Sequence, residues 1–240
     1  MNTGKRQRFQ PVDILRGLAI AMMVAYHFSY DLDYFGLASF DFYEGRFWRS
    51  ARTFILGMFL LLVGVSLVIA TRNGINRHAF LRRLAVLVLC ATLISVVTYF
   101  VFAERMILFG VLHFIALASI LGLLFIRLFW LNAVLGVAAI LAGVYYSNPV
   151  FDHPLLQWVG LMTFRPGTED YVPLLPWFGV VLIGIFLGRL LFASRALSTA
   201  LNWQGRQFPA RLLALAGRHS LLIYMLHQPV LLGILWLATR

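Results

Sequence analysis

Charge is scarce in this chain. Only 12% of its 240 residues are Asp, Glu, Lys or Arg, whereas 61% are hydrophobic. A soluble domain carries about twice that charged fraction. The composition therefore excludes an ordinary soluble fold and predicts an integral membrane protein, and the mean hydropathy of +0.85 agrees. Cysteine is almost absent. Cys90, the single one, can close no internal disulfide and reads as a small buried hydrophobe in mid-span. No internal repeat, low-complexity tract or soluble domain is visible, so residues 1–240 are expected to form one membrane domain. Acids are few, nine against twenty basic residues, for a net charge of +11. That excess does not point to nucleic acid. The basic residues sit between apolar stretches and form no patch interleaved with stacking aromatics.

What is present is a series of long apolar runs. Seven spans are expected, at Val12–Tyr30, Ala51–Ala70, Leu81–Phe102, Ile107–Trp130 (or ending before Arg127), Leu131–Tyr146, Leu174–Phe192 and Leu221–Ala238. The fourth and fifth are nearly continuous, and a short amphipathic piece is expected at Leu155–Met162. One set of connections holds Lys5, Arg6, Arg8, Arg72, Arg77, Arg82, Arg83, Arg127, Arg189, Arg195, Arg206, Arg211 and Arg218. The other holds Arg46, Arg49, Arg52, Arg105, Arg165 and Arg240. The positive-inside rule then puts the N-terminus in the cytoplasm and the C-terminus outside. The fold class is all-α, a polytopic membrane helix bundle of about seven transmembrane helices, N-in/C-out. The basic start before the first run could pass for a signal peptide. Arg16 inside the run, with Asp31 and Asp33 just before the only small-x-small pair, Gly36 and Ala38, predicts instead that this segment stays as a helix.

The first span is unusual. PVDILRGLAIAMMVAYHFSYD, Pro11 to Asp31, carries Asp13 and Arg16 near one end and His27 and Asp31 near the other. Ionisable groups in a span are expensive and mark function by default. Arg16 and His27 are eleven steps apart, so they fall within about 20° of each other on a helix and roughly 16 Å apart along it. Ile20 and Met23 lie between them on the same face. Asp31, one turn after His27, is placed to orient an imidazole acting as a general base. The bland alternative for His27 is a packing hydrogen bond between helices. For Arg16 the alternatives are an i, i+3 ion pair with Asp13 or an anchor for an anionic ligand entering from the cytoplasm.

Other spans add candidates. Residues Gly110–His113 (GVLH) open the fourth, and Ser220, Tyr224 and His227 share a face of the seventh at i, i+4 and i+7. Pro229 is expected to kink that helix. Pro173–Gly179 (PLLPWFG) begins the sixth and carries Trp177 at the interface. Gly179, Gly184 and Gly188 suit close helix packing. Two outer loops, Asp31–Arg52 with its aromatics and Ser147–Pro173 with Asp152, His153, Glu169 and Asp170, form a vestibule or simply anchor the interface. No metal site is expected, since the histidines have no close-spaced partner ligands and there is no cysteine cluster.

These motifs carry a family resemblance. DILRGLAI from Asp13, with His27 after a ten-residue gap, resembles the R-x10-H signature of membrane acyltransferases of the acyltransferase-three type. Taken with GVLH at Gly110, PLLPWFG at Pro173 and GRHSLLIYMLHQP from Gly217 to Pro229, the chain is more similar to the heparan-α-glucosaminide N-acetyltransferase-like catalytic domain, over about residues 9 to 235. The resemblance implies transfer of an acyl group from cytoplasmic acyl-CoA, acetyl-CoA foremost, across the membrane to an envelope sugar or glycolipid. It maps the signature arginine to Arg16 and the signature histidine to His27. There is a departure. Lysosomal members carry a further histidine in an H-x-S-W-N-G-like loop after the first span, and an asparagine at the position of His27. Here that loop reads FDFYEGRFWRSARTF and holds no histidine. Acceptor identity is therefore not carried over, and heparan sulfate is not expected.

The expected protein is thus an acyl-CoA-dependent acyltransferase in the cytoplasmic (inner) membrane of a bacterium, in contact with membrane lipids. His27 and Asp31 are its expected catalytic residues and Arg16 binds the donor. His113, His227, Tyr224 and Trp177 contact substrate. The rival reading is a proton-coupled transporter or flippase for an anionic lipid or sugar, which would explain the buried charges but lacks evident inverted repeats.

Overall fold

A computed structural model describes residues 8–102, 105–164, 166–168 and 170–240. Lys5, Arg6, Arg165 and Glu169, counted above among the loop charges, lie outside them. The described residues form α-helices and contain no strand. The helices are α1 (Gln10–Tyr34), α2 (Arg46–Thr71), α3 (Arg77–Phe102), α4 (Val111–Phe125), α5 (Trp130–Tyr145), α6 (Leu174–Ala193), α7 (Arg195–Leu201), α8 (Phe208–Arg218) and α9 (Ser220–Ala238). Five of them, α1, α2, α3, α6 and α9, are long and apolar enough to cross a membrane. The helices α4 and α5 have 15 and 16 residues. They rise about 22–24 Å, less than a hydrocarbon core of roughly 30 Å. The surface of α3 argues for lipid as its solvent. Leu81, Leu89 and Phe100 are all exposed, and a helix apolar on every side is stable only in a core or a bilayer.

Several boundaries differ from the sequence expectation. The first outer loop is shorter than Asp31–Arg52, because α1 continues to Tyr34 and α2 already begins at Arg46. Asp31 and Asp33 are therefore helical residues. The expected amphipathic piece at Leu155–Met162 is only a 3₁₀ turn, Gln157–Val159. Gly160 ends it at φ 92°, and a Cβ there would strike the Leu175 carbonyl oxygen. The fourth span ends at Phe125, at the earlier of the two expected ends, before Arg127. Its last carbonyls are capped from elsewhere. The Asn132 amide donates to the Phe125 and Leu128 carbonyls, and Arg189 donates to those of Ile126 and Arg127. A helix end that would otherwise hold orphan carbonyls in an apolar setting is thus satisfied.

Packing sorts the chain into two compact units, Met1–Phe59 with Leu191–Arg240 and Leu60–Leu190. In the second unit the glycines serve close packing. Added Cβ atoms at Gly64 and Gly184 would strike the carbonyls of Val181 and Leu61, so α2 and α6 meet backbone to backbone. Gly136 of α5 and Gly179 of α6 approach each other in the same way. The long loop before α6 is tied down by side chains. Asp152 accepts from the Thr163 amide and hydroxyl at 2.8 and 2.7 Å, and Asp170 accepts from the Val111 amide at 3.1 Å, capping α4. Tyr171 donates to the Gln157 carbonyl, and burial pushes its hydroxyl up to about 12.

In the first unit, the stretch between α6 and α9 looked like a basic loop and instead folds into α7 and α8. Pro209 starts α8 where its missing N–H is harmless. Ala214 and Gly217 are its buried residues, and it lies against α1. A Cβ at Gly17 would meet the Leu213 carbonyl oxygen, and one at Gly217 the Asp13 carbonyl oxygen. No rotamer change relieves a clash with backbone. Gly17→Ala and Gly217→Ala are each expected to destabilise by at least about 1–3 kcal/mol, seen as a lower thermal midpoint in detergent. Gly57→Ala, where the added Cβ meets nothing within 4 Å, should leave the midpoint unchanged or raise it. Equal midpoints for all three would mean that the α1–α8 contact is not tight.

Candidate active site

The polar stripe of α1 has two ends, and each is built differently. At the start of the helix, Asp13 is buried and held by two arginines. Arg16 donates to its Oδ1 at 3.0 Å and Arg218, at the end of α8, to its Oδ2 at 3.3 Å. The i, i+3 pair considered for Arg16 therefore forms. Two guanidinium groups share this one carboxylate, with Arg16 about a quarter exposed. Phe9 against Phe192, in the last turn of α6, and Gln10 donating to the Gly205 carbonyl between α7 and α8 fasten this end of α1.

Between the ends, Ile20 and Met23 are buried with Ile55, and Tyr224, Ile223 and Ala216 pack around them. The stripe is therefore two polar sites with an apolar layer between them. A shallow groove of about 400 Å³ opens beside this layer, lined by Ile20, Val24, Phe28, Ala216, Ile223 and Leu231 among others. Its walls are apolar and offer nothing to a phosphate.

At the far end the sequence expectation is partly redrawn. The His27 ring meets the His227 ring edge-on, with centroids 4.9 Å apart and planes at 82°. Tyr224 lies 5.8 Å from His227, and Tyr26 lies 5.8 Å from His27. Phe42 of the first loop stacks between Tyr26 and Tyr30 of α1 and Trp48 of α2, a cluster of rings around the end of α1. The Nδ1 of His227 lies 2.7 Å from the Tyr224 carbonyl. A carbonyl only accepts, so Nδ1 carries the proton and the lone pair of the neutral ring is at Nε2. Asp31, expected to orient His27 from one turn away, takes its recorded hydrogen bond from Gln228 instead, with Nε2 donating to Oδ1 at 2.7 Å. The carboxylate thus joins α1 to α9 at the residue after His227.

Of the seven sequence candidates, the first unit holds Arg16, His27, Asp31, Tyr224 and His227. It brings the last four together and sets Arg16 at the other end of α1. His113 and Trp177 belong to the second unit. Trp177 is half-buried in α6, just after the extended Leu175. His113 is fully engaged. The Gly110 amide donates to its Nδ1 at 3.3 Å, so Nε2–H faces the Ser95 hydroxyl at 3.3 Å, and that hydroxyl donates to the Ile107 carbonyl at 2.5 Å. Sequence reasoning did not single out Arg218 or Gln228. Arg218 was hidden in an assumed loop. Gln228 was visible as a lone amide in an apolar helix, the kind of residue that bonds across helices.

No curated protein and no solved structure is significantly similar to the chain. The family model for the catalytic domain of heparan-alpha-glucosaminide N-acetyltransferase matches residues 8–229, which run from the start of α1 to Pro229 of α9 and include both ends of the stripe. The chain therefore belongs to that family of membrane acetyltransferases.

Proposed function

We propose that this protein is a seven-span acyltransferase, N-terminus inside and C-terminus outside, that takes an acetyl group from cytoplasmic acetyl-CoA. It passes the group to a hydroxyl or amine of a sugar or glycolipid on the other side of the membrane. The observation that carries the reading is the half-buried, edge-on pairing of His27 with His227, beside a carboxylate that crosslinks their two helices. A bare packing histidine needs none of this.

The residues divide the work by charge. The two arginines that share Asp13, Arg16 and Arg218, suit the donor's phosphates, since guanidinium groups bind phosphate through charge-assisted, two-pronged hydrogen bonds. The apolar layer at Ile20, Met23 and Ile55 separates that cluster from the histidines and gives water little foothold along the face. His27 removes the proton from the acceptor's O–H or N–H as that atom attacks the thioester carbonyl. The new C–O or C–N bond forms, the C–S bond breaks, and the proton passes to the departing thiolate. His227, its tautomer set by the Tyr224 carbonyl, stands against the ring that becomes charged. Asp31 acts as a positioning residue through Gln228. His113 is a structural residue at the start of α4, because both its nitrogens are engaged.

Purified protein with radiolabelled acetyl-CoA should release coenzyme A faster when envelope sugar lipids are added, with label recovered in the lipid. Label that never leaves the donor would sink the reading. Reporter fusions at Arg240 and within residues 195–206 should report opposite sides of the membrane. Same-side signals would remove His27 from the outer half.

A further inference from the structure

The stretch between α6 and α9 carries Arg195, Arg206, Arg211 and Arg218, and residues 171–240 contain neither Asp nor Glu. Arg218 is taken by Asp13. Arg195, Arg206 and Arg211 are exposed, and none of them has a carboxylate partner among the described residues. Uncovered apolar surface lies beside these cations. Phe208, Leu212 and Leu215 are 77%, 54% and 52% exposed. Spaced at i, i+4 and i+7, they form one stripe of α8, on the side opposite the buried Gly217 that meets α1. Arg211 flanks the stripe. Trp203 is also exposed, and its ring lies over Gly205, where an added Cβ would strike it. The Gln10 side chain donates to the Gly205 carbonyl, so the whole face is fastened to the start of α1. Whatever covers it must be apolar at the stripe and negative beside it. Water fails the first requirement. A second copy meeting it through the same face fails the second, because the one acid within residues 1–30 or 171–240 is Asp13, already held by two arginines. A leaflet of acidic lipid meets both.

We infer that α7, α8 and the turn between them form a docking surface for anionic phospholipids. Phe208, Leu212 and Leu215 seat among the acyl chains, and Arg195, Arg206 and Arg211 bind the headgroup phosphates. The arginine stems cover apolar surface while their charged ends reach the headgroups. The Trp203 indole, apolar with one polar N–H, suits the boundary between the two layers. On the N-in topology proposed above, this is the cytoplasmic leaflet. The surface does not depend on acyl transfer. It accounts for helices that turn leucines outward in a stretch whose arginines read as a solvated loop.

The test uses the full chain in vesicles of equal parts phosphatidylcholine and phosphatidylglycerol, with bromine high on the acyl chains of one lipid or the other. Lipid composition is then constant and only the quencher moves. Subtracting the fluorescence of Trp203→Phe isolates Trp203 from the other tryptophans. Brominated phosphatidylglycerol should quench Trp203 about twofold or more better than brominated phosphatidylcholine, since each arginine near the surface attracts acidic lipid. Raising the ionic strength from about 0.15 to about 1 M shortens the screening length from about 8 to about 3 Å and should shrink that preference. Combining Arg195→Gln, Arg206→Gln and Arg211→Gln should bring the ratio close to one. Quenching by brominated phosphatidylcholine should persist in that variant, which shows that α8 is still folded against the bilayer. The same three positions changed to Lys should keep the preference, because the charge is kept. Equal quenching of wild-type Trp203 by the two lipids, or a preference that survives the three Gln substitutions, overturns the proposal. Trp203 quenched by neither lipid, in a chain that elutes as a dimer, would give the face to a second copy and overturn it as well.

Discussion

His27→Ala is expected to lower the turnover of acetyl transfer by about 10²–10⁴-fold, the usual contribution of a positioned general base. The Michaelis constant for the donor should change little, because the charges proposed to hold it lie at the other end of α1. His27→Asn should not rescue the rate, since an amide accepts a hydrogen bond but does not take the proton. The neighbouring ring sharpens the expectation. His227 has its Nδ1 proton committed to the Tyr224 carbonyl, so His227→Ala removes a contact of His27 without removing the base and should cost less. The measurement is single-turnover transfer at saturating donor and acceptor, with folding checked by gel filtration. Near wild-type transfer in His27→Ala would mean that the histidine pair is not the chemical centre, and the transporter reading would move to first place.

Arg16→Ala is expected to weaken donor binding by about 10- to 100-fold, the range for losing a charge-assisted hydrogen bond to phosphate. The structure makes this a clean test of role. Asp13 keeps a second partner in Arg218, so removing Arg16 does not strand a buried carboxylate, and the thermal midpoint should move little. Arg16→Lys should restore only part of the affinity, because a single ammonium cannot form the two-pronged contact. Removing Asp13 should do the opposite to the fold. Asp13→Ala leaves two guanidinium groups facing each other and should lower stability more than Arg16→Ala does. Unchanged coenzyme A affinity in a folded Arg16→Ala protein would return Arg16 to a purely structural ion pair.

Much of the site was legible because α1 is a single helix with a polar face. Eleven residues of spacing are enough to align Arg16 with His27, and the burial of Ile20 and Met23 follows from lying on the same face. The same helical arithmetic put Tyr224 and His227 together on α9. It failed for Asp31. An i+4 carboxylate is within reach of an imidazole, but reach is not choice, and the amide of Gln228 on another helix takes the bond. It failed again at residues 195–218, where arginines between two spans read as a solvated loop. The apolar face of α8 is short and opens onto Gly217, whose meaning lies in what it touches.

Sequence by itself determined the solvent and the class of fold. Low charge, long apolar runs and helical periodicity are local properties, and a bilayer leaves helices as the way to satisfy a backbone in such runs. It also determined which end of α1 is cationic and which carries the histidine, because both are set by residue order on one rigid element. The tertiary structure alone decided the partners. Asp13 against Arg218, His27 against His227, and Asp31 bonded to Gln228 each join residues about 200 positions apart. Contacts of that kind depend on how α1 seats against α8 and α9. That seating is set by close approach at Gly17 and Gly217, where the absence of a side chain allows the helices to meet but does not by itself name the helix that fills the space.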